Sequence, residues 1–548
     1  MCMSIFFCNF APDFRTMQQT TDINSAQAQQ IPAQEPRALG KVRAPKRKSK
    51  IRRRLERGLE IHAKSSPLNP SWALPDWFAG WALLTYVISF LFVYIRFFER
   101  GAEWYFVAFG FMWVLLFFYL GRHLSRIWNV RHIHSSERFA KQLFWGALGV
   151  RVVYVVFSYY FYLGMTGRPF EFQAADSMGY EEMSMDLALF FKEDRLWEYL
   201  MQYSSKGVSD MGYPLFLFPF YAIFDTDAAV MAIRIAQSII GAYTAVLIYR
   251  LARRSMDETT ARIAAIFCAL HPVLICYAGM SLKEVLMTCL LTLFIERADK
   301  LLRNRNFSFR TIFPVVLIGM SLFFFRTVLG MVAFMAVGTA ILLMDSKIIS
   351  SGRKVVIGSL MGLMLVFLAS DRIMREVNQI RNTDVRQQQS VSMAMRYGSG
   401  KKGGGNAFAQ YAGAAVFAPL IFTIPFPTIV IVHDQEDQRL IHGGNWVRNV
   451  VSGLVILAMV LLLLSGDWRK YTLPLAMLLG YLVVLVFSEF AHSLRFHIPI
   501  MPLEMLFAAY AFTRIGYKRR SWYVYWCVFM TMTFLAWNWF KLAGRGLA

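Results

Sequence analysis

The sequence predicts an all-α polytopic membrane protein of about 13 transmembrane helices with a helical first outer loop. Three observations carry this expectation. Of 548 residues, 56% are hydrophobic and 16% aromatic, more apolar than the roughly 45–50% typical of soluble domains. Apolar runs long enough to cross about 30 Å of hydrocarbon recur along the whole chain. The basic loops between those runs all fall on one side when the crossings are counted.

Taken in order, residues 1–76 read as a disordered basic cytoplasmic tail. The stretch 18–36 is rich in Gln, Ala, Thr and Pro, and has too little apolar surface to bury. In 37–57 (RALGKVRAPKRKSKIRRRLER) about half the residues are basic, and the run holds much of the net charge of +23. It lacks the aromatic interleaving and the accompanying fold of a nucleic-acid binder. Anionic lipid at the cytoplasmic face is therefore the expected partner, and nucleic acid is not. The opening MCMSIFFCNFAPDF is too short an apolar stretch for a cleavable signal peptide, and its basic residue follows it. Met1 and Met17 both stand as starts.

Two accessory transmembrane helices occupy 77–141, at 77–98 and 103–121. The membrane core, 142–370, holds spans at 142–164, 228–252, 261–279, 284–301, 310–326, 327–344 and 355–370, with an outer loop at 165–227. Residues 371–444 make an extracytoplasmic loop with a re-entrant segment. The C-terminal part, 445–548, carries spans at 445–465, 471–488, 499–514 and 522–540. Basic residues at 122–141, Arg250 to Arg254, Arg297 to Arg310, Lys347 to Lys354, Arg469–Lys470 and Lys518 to Arg520 place those turns in the cytoplasm of an inner (plasma) membrane. The opposite side receives 165–227, 279–283, 371–444 and 489–497.

Two apolar pieces break that count if they cross. YPLFLFPFYAIF (213–224) is too short, and 413–432 contains IPFPT. Both are expected to be re-entrant or interfacial, because irregular backbone at membrane depth survives only under a cover of protein or beside water. In 371–412, RYGSGKKGGGNAFAQ follows no strand and has no Ser or Thr after its lysines, so it reads as a flexible loop over the site, not a phosphate cradle. The six cysteines show no CxxC and no ligand spacing; four lie in or beside apolar helices, where a thiol behaves as a small hydrophobe. No metal site and no cofactor is expected, with a divalent metal left open.

The chemistry gathers at one membrane edge. Asp176, Glu181, Glu182 and Asp186 crowd into eleven residues after the run 142–164. A charge at the bilayer centre costs at least about 2.5–3.5 kcal/mol, so ionisable groups beside spans need a reason. Arg234, Lys283, Glu284, Arg326 and the run from Glu489 through His492 and Arg495 to His497 qualify; by the crossing order Lys283, Glu284, Arg326 and Arg495 lie near the outer face with the acids, and Arg234 sits a turn or two below it. Arg151 is explained by snorkelling. Cations and carboxylates in one layer suit glycosyl transfer from a lipid phosphate. A carboxylate takes the acceptor's proton, while guanidinium or ammonium groups hold the phosphate. Asp176 is the first candidate base and Glu181 and Glu182 the fallback. Gly179–Tyr180 reads as a break turning Asp176 toward the cavity, with Tyr180 lining it.

The order of motifs resembles GT-C-type integral membrane glycosyltransferases, the superfamily of protein-mannosyltransferases and bacterial aminoarabinose transferases. The resemblance runs through AADSMGYEEMSMDLA, GYPLFLFPFYAIF, AIRIAQSIIGAYTAVLIYRLARRS, ARIAAIFCALHPVLICYAGMSLKEVLM, LFFFRTVLG and SLRFHIPIMPLEMLFAAY, covering roughly 142–345 and 471–514. It implies an extracytoplasmic site fed by a polyprenyl-phosphate sugar, and a glycan, lipid or protein acceptor. Asp176 would be the first-loop aspartate that acts as general base or positions the acceptor. Arg495 would stand where the family often has an Arg-Tyr pair, with Phe496 replacing the tyrosine. Lys283–Glu284 would stand at a Thr-Glu-like pair, Lys283 being an added cation. Two other readings remain. An O-antigen-type polysaccharide polymerase or ligase would use 371–444 as its large outer loop. A transporter or flippase would place its charges nearer the midplane and show an internal repeat, which is not evident.

Overall fold

A computed structural model describes residues 73–96, 103–128, 135–204, 210–304, 308–343, 420–430, 436–487, 493–515 and 520–543. The chain divides into units 1–54 and 55–548, and every described residue lies in the second. The basic run 37–57, the span expected at 355–370, the glycine-rich RYGSGKKGGGNAFAQ and His492 lie outside the described residues.

Among the described residues there are helices and no strands. In order they are α1 (Asp76–Arg96), α2 (Trp104–Ile127, with a π turn at Leu116–Leu120), α3 (Ser136–Thr166), α4 (Ala175–Lys192), α5 (Leu196–Ser204), α6 (Gly212–Ile223), α7 (Thr226–Ser255), α8 (Glu258–Leu270) and α9 (Pro272–Cys276). There follow α10 (Glu284–Asn304), α11 (Phe309–Ser321), α12 (Thr327–Leu343), α13 (Glu436–Leu440), α14 (His442–Ser465), α15 (Thr472–Phe487), α16 (Leu494–His497), α17 (Met501–Phe512) and α18 (Arg520–Ala543).

Six helices are long and apolar enough to cross a membrane: α1, α2, α3, α7, α14 and Asp467–Val486, which contains most of α15. The pair α8–α9, bent by 50° at Pro272, makes a seventh. Proline at the start of α9 has no N–H to donate back, so the bend falls there. By length and hydropathy the described residues thus supply six or seven candidate spans against the about 13 crossings expected. Of the remaining expected crossings, 355–370 lies outside the described residues, and three others fall short for visible reasons. The helices α11 and α12 are short, and α10 carries Glu296, Arg297, Asp299 and Lys300 near its end.

The helix α7 is buried along most of its length and packs against α3, α8 and α10. Asp257 caps α8 by accepting from the Thr260 amide at 3.1 Å, and the Thr260 hydroxyl meets that of Thr513 at 2.8 Å, which ties α8 to the end of α17. The helices α2 and α14 approach closely enough that a Cβ on Gly443 would collide with the Gly110 carbonyl. Small residues at such a crossing let two backbones meet. One edge gathers the basic turns, where Arg254 pairs with Glu296 and Asp299, and Arg303 with Asp299 at 2.8 Å.

At the other edge, 420–430 runs as a non-helical strap between α14 and α18. Its Ile421, Ile424, Phe426, Ile429 and Val430 are buried. Side chains complete its backbone hydrogen bonds. Arg448 donates to the Ile424 carbonyl, and Asn449 to those of Thr423 and Pro425, the latter at 3.1 Å. Asn538 donates to the Pro427 carbonyl at 3.0 Å and accepts from the Ile429 amide at 3.0 Å. Buried irregular backbone is tolerated because those partners exist.

Candidate active site

The helix α3 ends at Gly167, whose φ of 74° is the left-handed cap that turns the chain into 168–174. A new helix, α4, then opens with Asp176 in its first turn. Gly179 and Tyr180 lie inside α4, so the expected break is absent. Residues 176 and 180 form one helical row and 177 and 181 the next, and the two rows face different polar centres.

The first centre is built on Arg495 in the short turn α16. Its Nε donates to Glu284, the first residue of α10, and its Nη1 donates to Asp176. Glu284 is fully buried, while Asp176 is 61% exposed and Arg495 21%. Burial opposes the charge on Arg495, but Glu284 and then Asp176 hold its proton above the usual arginine range. Tyr180 is buried edge-on against Tyr213, ring centres 5.2 Å apart.

Lys283 pairs with Asp210 and donates to the Phe325 carbonyl at 3.2 Å. Burial lowers its pKa to about 8. Glu284 counters that shift, while Arg326 and Arg495 add to it. Arg326, at the break between α11 and α12, donates to the Tyr481 hydroxyl at 3.0 Å and lies 4.3 Å over the Phe496 ring. Phe496, at the position where the resemblance implies tyrosine, thus offers an aromatic face.

The second centre lies along the row of Ser177 and Glu181. Arg234, on α7 and fully buried, donates through Nη2 to the Pro169 carbonyl. Glu171, 4% exposed, accepts from the Ser177 hydroxyl, and burial raises its pKa against the pull of that bond. Glu181 accepts from the Tyr221 hydroxyl at 3.3 Å, and burial raises it as well.

The remaining candidates stand apart. Glu182 is exposed on α4 and makes none of these contacts. His497 is buried, and its Nδ1 meets Arg448 Nη2 at 2.9 Å; Arg448 in turn pairs with Glu504 at 3.1 Å. That network joins α14 to α17 beneath the strap. Asp437 on α13 also belongs to this edge. Its carboxylate accepts from the Phe172 amide at 3.2 Å and the Gln173 amide at 2.8 Å.

Sequence reasoning passed over Glu171, Asp210, Asp437, Arg448 and Glu504. Glu171 carried a usable signal, standing five residues before Asp176 in RPFEFQAAD. Arg448 and Glu504 sit within apolar runs, where any charge is conspicuous.

A helical membrane core with paired cations and carboxylates at one edge has the parts a sugar-transferring membrane enzyme needs. A family model described as the Alg9-like mannosyltransferase family matches residues 442–543, which contain Arg448, Arg495, His497 and Glu504. That match supports a GT-C-type membrane glycosyltransferase, acting with a sugar donor and an acceptor. The chain matches no curated protein and no solved structure.

Proposed function

We propose that the protein transfers a sugar from a polyprenyl-phosphate donor to an extracytoplasmic glycan, lipid or protein acceptor, with the Arg495 edge on the outer face of the inner membrane. The observation that carries this reading is one guanidinium shared between a buried and an exposed carboxylate. A phosphate arriving at Arg495, with Lys283 and Arg326 beside it, competes with Asp176 for the fork. Glu284, buried and bonded to Nε, keeps the guanidinium in place throughout. Donor binding thereby frees the Asp176 carboxylate.

In the transfer step the acceptor oxygen attacks the anomeric carbon and its proton passes to Asp176. The bond from that carbon to the phosphate oxygen breaks, and the electron pair leaves on the polyprenyl phosphate, whose charge Arg495, Lys283 and Arg326 stabilise. Side placement rests on the basic turns gathered at the opposite edge.

Asp176→Asn keeps the shape and a contact to Arg495 but cannot take the proton. Transfer from a polyprenyl-phosphate sugar by the purified variant is expected to fall about 10²–10⁴-fold, with donor binding retained. Wild-type turnover in Asp176→Asn, with activity abolished by Glu181→Gln or Glu182→Gln, would move the base within α4. Indifference to all three substitutions would remove the loop from catalysis.

A further inference from the structure

The second centre has polar atoms that the fold leaves unmatched. Buried without a hydrogen-bond partner are Oε2 of Glu171, Nε and Nη1 of Arg234 and Oε1 of Gln237. Gln237 is fully buried, and its Nε2 is held by the Tyr213 hydroxyl at 2.5 Å and the Leu282 carbonyl at 3.0 Å. Two acceptors and two donors on side chains more than nine-tenths buried are costly unless something meets them.

The set has a definite chemical preference. Glu171 lies within electrostatic reach of Arg234, and Glu181 adds a further carboxyl group nearby. A phosphate or a sugar acid brought to Arg234 would face both carboxylates. A hydroxyl both donates and accepts, so neighbouring hydroxyls on one ring can satisfy Glu171 and Arg234 together. The Arg234 guanidinium lies over the faces of the Tyr159 and Phe170 rings, 5.9 Å from each centre, which holds it in place beside Glu171.

We propose that Glu171, Arg234 and Gln237 form a subsite for an uncharged pyranose, on the row of α4 next to the one that carries Asp176. The inference rests on the transferase reading for its place in a reaction, but not for its ligand chemistry. It also moves Arg234 from phosphate binding to sugar binding.

The test uses the full chain in lipid nanodiscs and methyl α-mannopyranoside, followed by saturation-transfer NMR. The neutral glycoside is expected to bind, and at least one of its monodeoxy analogues to bind about tenfold or more weakly, because the analogue leaves a buried group unpaired. Inorganic phosphate and methyl glucuronide should not displace it. Glu171→Gln, isosteric, should weaken binding by a similar factor. The analogue series on wild type answers the question even if that variant folds poorly.

Inhibition of transfer competitive with the donor, or with the acceptor, would show which substrate's ring occupies the site; either supports the subsite. The subsite is overturned by no binding of any neutral glycoside, as for water-filled space, by displacement with phosphate, or by undiminished binding in a folded Glu171→Gln. Binding without transfer keeps the subsite and removes the transferase reading. Transfer with a sugar KM unchanged in Glu171→Gln does the reverse.

Discussion

At the scale of single residues, function turns on geometry that charge alone does not capture. Arg495 spans two carboxylates because a planar fork presents donors in two directions, and lysine does not. Arg495→Lys is expected to impair transfer strongly; full activity in Arg495→Ala at normal protein level would take Arg495 out of the site. Arg448 and Glu504 form a buried pair with both side chains at most 3% exposed. Glu504→Gln should cost stability, about 3–5 kcal/mol for a broken buried pair, read as lower thermal stability of the purified protein with the Asp176 chemistry unchanged. Much of the candidate layer was legible in the sequence, since Lys283, Glu284, Arg326 and Arg495 stand out at the ends of apolar runs. Their partners were not. Asp176 and Arg495 lie 319 positions apart, and nothing local in the sequence links Asp437 to the Phe172 and Gln173 amides it accepts from.

At the scale of elements, α13 clamps the 168–174 loop through Asp437. Burial and then the nearby Glu171 raise its pKa to about 7, while the Phe172 and Gln173 amides pull the other way. A carboxyl group raised in the folded state contributes most below its unfolded pKa, near 4, and loses that contribution as pH rises toward 7. The Phe172 and Gln173 amides should therefore be better protected from hydrogen exchange at pH 5 than at pH 8, after correction for intrinsic rates. Asp437→Asn should flatten the difference; equal protection in the wild type would show that Asp437 does not govern the clamp. The helix α4 was expected from its pattern, but its continuity through Gly179 was not. A glycine costs a helix only about 1 kcal/mol, and Tyr180 packed on Tyr213 outweighs that. Where α2 meets α14 the tolerance is smaller. Gly443→Ala should cost about 1–3 kcal/mol by forcing the two backbones apart, measurable as a lowered melting temperature.

For the whole molecule, the prediction concerns sidedness. With Cys2 and Cys8 replaced, Met178→Cys at the site edge should react with a membrane-impermeant thiol reagent added outside intact cells, and Glu137→Cys at the basic edge should not. The native Cys268, Cys276, Cys289 and Cys527 are buried and leave a clean background. The reverse pattern would place the Asp176 edge in the cytoplasm and end the lipid-linked donor scheme as drawn. The helical architecture was legible because hydropathy speaks run by run, whereas the number of crossings was not. A short helix such as α6 or α11 is as apolar as a span, and only packing decides whether it crosses.

The strap at 420–430 imposes an order on biogenesis. Asn449 and Arg448 emerge from the ribosome soon after it, but Asn538 follows Pro427 by 111 positions. At about 5–20 residues per second, the Pro427 carbonyl and the Ile429 amide wait roughly 5–20 s for their partner. During that interval the described helices α13 to α17 and most of α18 are made while this stretch of backbone is incompletely bonded. The last helix thus acts as a keystone, and a ribosome stalled before residue 538 leaves a chain that quality-control proteases can recognise by its unfinished strap.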